Sequence, residues 1–144
     1  MSRKLLIFGL FLLVSHWVAG CATMSDVVRS KGEGTVNVYP VNEEQAWDIA
    51  RTVFRWEGTD AIEEHRKEGY MLTSSGMNLI SYGTVMGAWV EPVDKDSTKV
   101  TVVTKRRIAT NLATTLTEAT FHKRFAQAVD IIKAGKPLPL TPPE

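Results

Sequence analysis

The chain has 144 residues, and its 17 basic and 16 acidic side chains leave a formal net charge of +1. With 44% hydrophobic and 23% charged residues, the composition is that of an ordinary globular domain, which excludes collagen-like, coiled-coil and wholly disordered classes. The near balance of charge gives no reason to expect a nucleic-acid partner, and a single cysteine excludes an intrachain disulfide and a cysteine-based zinc cluster.

The first 20 residues are typical of a secretory signal peptide. Arg3 and Lys4 form a basic start, and Leu5–Val14 is an uninterrupted apolar run of ten residues. A helix that spans a bilayer needs about 20 apolar residues, so this run is too short for a span and has the length of a signal-peptide core. Residues 1–20 are therefore predicted to be absent from the mature protein.

Small residues precede the only cysteine of the chain. The residues Val18-Ala19-Gly20-Cys21 resemble the lipobox of bacterial lipoproteins, which has an aliphatic residue, two small residues and a cysteine. The resemblance implies cleavage between Gly20 and Cys21, a diacylglyceryl thioether on Cys21, and acylation of the new amino terminus by a fatty acid such as palmitate. The alternatives are an ordinary signal peptide with a chance cysteine, or a buried thiol.

The residue after the cysteine bears on location. In the sorting rule known for enterobacterial lipoproteins, an aspartate in this place retains the protein at the inner membrane. Position 22 is alanine. The resemblance therefore implies an outer-membrane protein that faces the periplasm and is held by lipid, the inner membrane being the less favoured location.

The mature chain is predicted to have three parts. Residues 21–34 contain the acylated cysteine and a stretch with serine, glycine and mixed charges but no periodic apolar pattern, which indicates a flexible tether. Residues 35–135 form a single domain. Residues 136–144 are a proline-rich tail, in which the prolines end the preceding helix and favour extended backbone.

Within the domain, strand and helix patterns alternate. Strands are predicted over residues 35–39, 60–65, 70–74, 84–93 and 98–107, and helices from Asn42 to Gly58 and from Thr117 to Ala134. Residues 77–82 are strand-like as well. Residues 84–93 are nearly all apolar, which suits a strand covered on both faces or a bend at Gly87. The short turns between the central strands imply antiparallel neighbours. The prediction is an α+β fold of order β-α-β-β-β-β-α, with two helices packed on one face of a twisted antiparallel sheet.

This pattern is similar to small, uncharacterised periplasmic lipoprotein domains such as those grouped as DUF3568. The similarity covers the lipobox, the first strand, the first helix and the run of strands. It implies the architecture and brings no activity with it.

The sequence offers few residues that could form a catalytic or metal-binding site. Glu118 and His122 lie four residues apart on one face of the last helix, where they form either a carboxylate–imidazole pair, half of a metal site with His65, or a first-turn acid beside an exposed histidine. The last interpretation is preferred, because the metalloprotease pattern is absent and no cysteine is free to ligate a metal.

Two surfaces are candidates for contact with a partner. Lys105, Arg106 and Arg107 form a basic cluster that Lys123 and Arg124 could join, and such a cluster suits anionic headgroups or an acidic partner. The second is a possible apolar pocket between helices and sheet, which a module that binds a small molecule or lipid would require; its lining residues would be Val85, Trp89, Phe121 and Phe125.

The sequence thus predicts a lipid-anchored envelope lipoprotein without catalytic activity, cofactor or metal, which docks on an envelope protein partner. The alternative is a binding module that holds an apolar or anionic small molecule, or a lipid, in a helix–sheet cavity. No combination of nucleophile, base and oxyanion stabiliser points to an enzyme.

Overall fold

The computed structural model describes residues 22–59, 61–74, 83–106 and 117–144. Several predictions lie outside these residues: the signal peptide, the acylation of Cys21, the strand over 77–82, the last residue of the basic cluster, Arg107, and the ends of two predicted strands at residues 60 and 107.

The described residues form three α-helices and one five-stranded sheet. In chain order the elements are α1 Met24–Arg29, a 3-10 turn Lys31–Glu33, β1 Thr35–Tyr39, α2 Glu43–Trp56, β2 Ala61–His65, β3 Tyr70–Ser74, β4 Thr84–Asp94, β5 Ser97–Arg106 and α3 Glu118–Lys133. The strands lie in the order β1-β5-β4-β3-β2, and every neighbouring pair is antiparallel. The predicted α+β class and the predicted element order are confirmed, with α1 added before the first strand.

The two long helices begin and end as local sequence predicts. Asn42 accepts a hydrogen bond from the Gln45 backbone N–H at 2.9 Å, and the Gln45 side chain accepts one from the Asn42 N–H at 3.1 Å, so α2 opens with a capping box. Gly58 and Gly135 follow α2 and α3 with φ of +71° and +70°, a backbone conformation that glycine adopts without strain.

Both long helices pack on the same face of the sheet and form the main core. This face brings together the aromatic side chains of α3 and α2 with the apolar side chains of the central strands. Its fully buried members include Trp47, Ile49, Phe54, Met71, Met86, Val100, Phe121 and Phe125. The space between helices and sheet is therefore filled by side chains of the protein itself.

The short helix α1 covers the other face of the sheet. Its N-cap Thr23 forms a capping box with Asp26, and its Val27 is completely buried against the central strands. The sequence predicted a flexible tether over residues 21–34, and the structure differs from that prediction over 22–34. A helix of six residues offers only one or two core positions, so it leaves no periodic pattern in the sequence and its stability comes from packing.

Strand β4 is covered on both of its faces, as its apolar composition suggested. Met86, Ala88 and Val90 belong to the main core, whereas Val85 and Trp89 belong to the second core beneath α1. Successive side chains of a strand point to opposite faces, so the two sets alternate along the chain.

The tail packs along the outside of the helices. The indole N–H of Trp56 donates a hydrogen bond to the Pro139 carbonyl oxygen at 2.9 Å, and Leu138 contacts the main core. No helix in the part of the chain that the structure describes is long and apolar enough to cross a membrane.

Candidate functional site

The predicted apolar pocket is not formed. Phe121 and Phe125 lie in the main core under the helices, whereas Val85 and Trp89 lie on the opposite face, beneath α1. The sheet itself separates the two pairs. The prediction is wrong because nearly every residue of β4 is apolar, so the sequence carries no signal that assigns its odd and even positions to a face.

The predicted basic cluster is divided in the same way. Lys105 lies on the α1 side, where its ammonium group contacts the Glu33 carboxylate at 2.6 Å and lowers the pKa of Glu33 below its ordinary value. Lys123 and Arg124 lie on α3, which packs on the other side of the sheet. Arg106 ends β5 and is exposed.

Arg124 is engaged by the domain rather than free for a partner. Its guanidinium group donates hydrogen bonds to the Gln127 side chain at 3.1 Å and to the Pro143 carbonyl oxygen, and it lies 3.6 Å from the Glu57 carboxylate. Arg124 therefore ties the tail to α2 and α3, and the described members of the basic cluster do not form a single anion-binding surface.

Glu118 and His122 act together on the edge strand β1. The Glu118 carboxylate accepts hydrogen bonds from the backbone N–H groups of Thr35 at 3.1 Å and Thr104 at 3.0 Å, and from the Thr35 hydroxyl. It thereby bridges β1 and β5 where β1 begins. The predicted exposed histidine is wrong: His122 is only 6% exposed.

The hydrogen bonds of His122 define its neutral form. Its Nε2–H donates to the Thr35 carbonyl oxygen at 3.1 Å, so Nδ1 accepts from the Tyr39 hydroxyl at 2.7 Å. Burial lowers the pKa of His122, and burial raises the pKa of the Tyr39 phenol, which keeps Tyr39 a donor. Both ring nitrogens are occupied within the fold, so the arrangement holds β1 against α3 and offers no free lone pair.

We expect this buried imidazole to make stability depend on pH. A pKa lowered in the folded state means that the unfolded chain binds the proton more readily, so stability is fully present above the ordinary value of about 6.5 and is lost as the pH falls below it. Urea unfolding at pH 7.5 and pH 5.5 should show this loss in the unaltered protein. His122→Gln, which does not titrate, should lose less.

The control for this experiment is His65→Gln, because His65 is partly exposed on β2 at the other edge of the sheet. This variant should lose as much stability at low pH as the unaltered protein. An equal loss in His122→Gln would show that a different group causes the pH dependence.

His65 does not join the Glu118–His122 pair. It lies on β2, stacks on Tyr70 with 4.7 Å between ring centroids, and is separated from β1 by the full width of the sheet. Among residues 22–59, 61–74, 83–106 and 117–144, no three histidine, cysteine, aspartate or glutamate side chains are grouped closely enough to hold a metal ion.

The two edges of the sheet differ in their charge. Edge strand β2 and the residue after it are tied to α2 by ion pairs: Arg51 contacts Glu64 at 2.6 Å, and Arg66 contacts Glu44 at 3.0 Å while lying over the Trp47 ring. The hydrogen bond from Arg51 holds the pKa of Glu64 below its ordinary value. Edge strand β1 has the sequence TVNVY and carries no charge.

Strand β1 exposes apolar side chains on the α1 side. The sequence indicated a strand with alternating valines, and the structure turns Tyr39 toward the core and leaves Val36 and Val38 50% and 58% exposed. In register, Val38 lies opposite Lys99, and Lys99 lies opposite Glu91. The alternation of valines predicted the strand. It did not show whether the valines or the residues between them would be buried.

Two lysines surround the single carboxylate in this row. Lys31 and Lys99 contact the Glu91 carboxylate at 2.9 Å and 3.3 Å. Burial acts to raise the pKa of Glu91, but the hydrogen bond from Lys31 and the nearby charges of Lys31 and Lys99 outweigh it, so the pKa lies below its ordinary value. We call Val36, Val38, Lys31, Lys99 and Glu91 the β1 patch. It combines exposed apolar area with a local charge of one positive unit.

Comparison of the chain with protein-family models, with curated proteins and with solved structures gave no match. The similarity to periplasmic lipoprotein domains remains a prediction from the sequence pattern.

Proposed function

We propose that the chain is a lipid-anchored lipoprotein of the bacterial envelope, held at the periplasmic face of the outer membrane, which docks on an envelope protein partner and catalyses no reaction. The observation that carries this proposal is the position of the only cysteine. Cys21 ends the lipobox-like residues Val18-Ala19-Gly20, after a basic start and a ten-residue apolar run. A thioether-linked lipid with a further acyl chain supplies enough buried CH₂ groups for stable anchoring.

The packing of the domain supports docking over the alternative of an internal ligand cavity. The four residues expected to line such a cavity lie on opposite faces of the sheet, and Phe121 and Phe125 are completely buried among protein side chains. A partner would therefore meet the outer surface of the domain, since the described helix–sheet space is filled.

The anchor is tested with full-length protein expressed in a bacterial host, beside Cys21→Ser. We expect the unaltered protein to have the intact mass of a chain that begins at an acylated Cys21 and to sediment with membranes after a high-salt wash. Cys21→Ser should be unacylated and released from the membrane. If both forms are equally unacylated and soluble, the proposed function is wrong.

The outer-membrane location is tested by Ala22→Asp, which places aspartate directly after the anchor. We expect the unaltered protein in the outer-membrane fraction of a density gradient and Ala22→Asp in the inner-membrane fraction. Ala22→Ser is the matched control and should stay in the outer-membrane fraction. An unaltered protein that already bands with the inner membrane would contradict the proposed location but not the anchor.

A further inference from the structure

The folded domain begins very close to the proposed anchor. Thr23, the N-cap of α1, is two residues after Cys21, and two extended residues reach at most about 7 Å. Helix α1 is fixed to the sheet by the completely buried Val27. The acyl chains of Cys21 would therefore hold the beginning of α1 within a few ångströms of the lipid headgroups.

The β1 patch lies on the same side of the sheet as α1. Trp89 packs beneath α1, and Glu91, two residues later on β4, points to the same face. Directly opposite residues of antiparallel strands share a face, so Lys99 and then Val38 continue the row to the edge of the sheet. Helix α1 and the patch thus lie on one side of the domain.

We infer that this side of the domain rests on the bilayer, with the β1 patch in contact with anionic phospholipid headgroups beside the anchor. The inference rests on the proposed function, because it requires the lipid on Cys21. Exposed valines beside lysines match the chemistry of an interfacial surface, in which apolar side chains enter the headgroup region and cations meet anionic lipid. Val36 and Val38 supply the apolar part, and the excess positive charge around Glu91 supplies the cation.

A second copy of the chain fits β1 less well than a bilayer does. Edge strands pair through free backbone groups, and several of those groups are already occupied here. The N–H and C=O of Thr35 bind Glu118 and His122, and the C=O of Tyr39 accepts from the Val41 N–H at 2.9 Å. With these groups occupied, less backbone is left to pair with another strand, whereas a lipid surface needs only the side chains.

The inference is tested by nitroxide labels on the acylated protein. Because Cys21 is blocked by lipid, Val38→Cys supplies the only reactive thiol, and Leu140→Cys is the matched control. Leu140 is 99% exposed and follows Pro139, which contacts α2 on the opposite side of the sheet. Each protein is reconstituted in vesicles of phosphatidylethanolamine and phosphatidylglycerol, and the collision of the label with oxygen is compared with its collision with a water-soluble nickel chelate.

We expect the ratio of oxygen to nickel collisions at position 38 to be several-fold higher than at position 140, and Val36→Cys to reproduce the result. If both labels stay equally accessible to nickel while the protein floats with the vesicles, the inference is wrong and the anchor stands. Dipolar broadening between labels at position 38 would assign the patch to a second copy instead. A protein that neither carries acyl chains nor floats would overturn the proposed function and this inference together.

Discussion

Phe121→Ala should lower the free energy of unfolding by about 3–5 kcal/mol, the usual cost of deleting a fully buried phenylalanine and leaving a cavity. Phe121 is completely buried between α3 and α2, and its ring centroid lies 5.0 Å from that of Phe54 and 5.9 Å from that of Phe125. The contact with Phe54 joins the two long helices, so the surroundings cannot collapse into the gap without moving a helix. Urea denaturation followed by circular dichroism measures the change.

The control is Leu140→Ala, which removes an apolar side chain of similar kind from the exposed tail. It should change stability by no more than about 0.5 kcal/mol. A loss of less than about 1 kcal/mol in Phe121→Ala would mean that the space between helices and sheet is not closely packed. The cavity alternative for the function would then regain support.

Gly87→Ala should lower the free energy of unfolding by about 2–3 kcal/mol. This lies in the upper part of the range of costs for adding one methyl group to a closely packed core. A Cβ at position 87 would lie 2.7 Å from Cγ1 of Val27 and 3.0 Å from two ring carbons of Trp89. Helix α1 would have to rise from the sheet. Val27→Ala removes the closest of these atoms, so the double variant should be less destabilised than the sum of the single variants by about 1 kcal/mol.

Gly32→Ala is the matched control for this substitution, because nothing lies within 4 Å of a Cβ added there. It should leave stability unchanged or slightly raised, since alanine restricts the unfolded chain. Additive effects of Gly87→Ala and Val27→Ala would contradict the packing of α1 over β4, and with it the placement of the anchor beside that face.

Local sequence patterns predicted most of the fold because local interactions form most of its elements. The capping box of α2, the glycines after both long helices, and the β1 bounds could all be assigned from neighbouring residues. The order of the strands in the sheet needs contacts between distant parts of the chain. For β1 to pair with β5, Thr35 must lie opposite Val102, which no local pattern specifies.

The candidate site was harder to predict from the sequence, because its contacts also join distant parts of the chain. The spacing of Glu118 and His122 was visible, but their partners Thr35 and Tyr39 lie 83 or more residues away along the chain. Without those partners, an exposed histidine is the simpler expectation. The β1 patch depends on the coverage of one sheet face by α1, and α1 itself left only a Thr23–Asp26 capping signal.

The position of β1 between solvent and the last strand has a consequence for the order of folding. Strands β2 to β5 form a meander in which each strand meets the next along the chain, so they can assemble by successive hairpins. Strand β1 can pair only after α2 and the four later strands have been synthesised, because its only strand partner in the described sheet is β5. Pairing of two strands that are far apart in the sequence is slow, because closing the long loop between them costs entropy before the contacts that stabilise the pair can form. The first strand of the described sheet to be synthesised is therefore the last of its strands to pair.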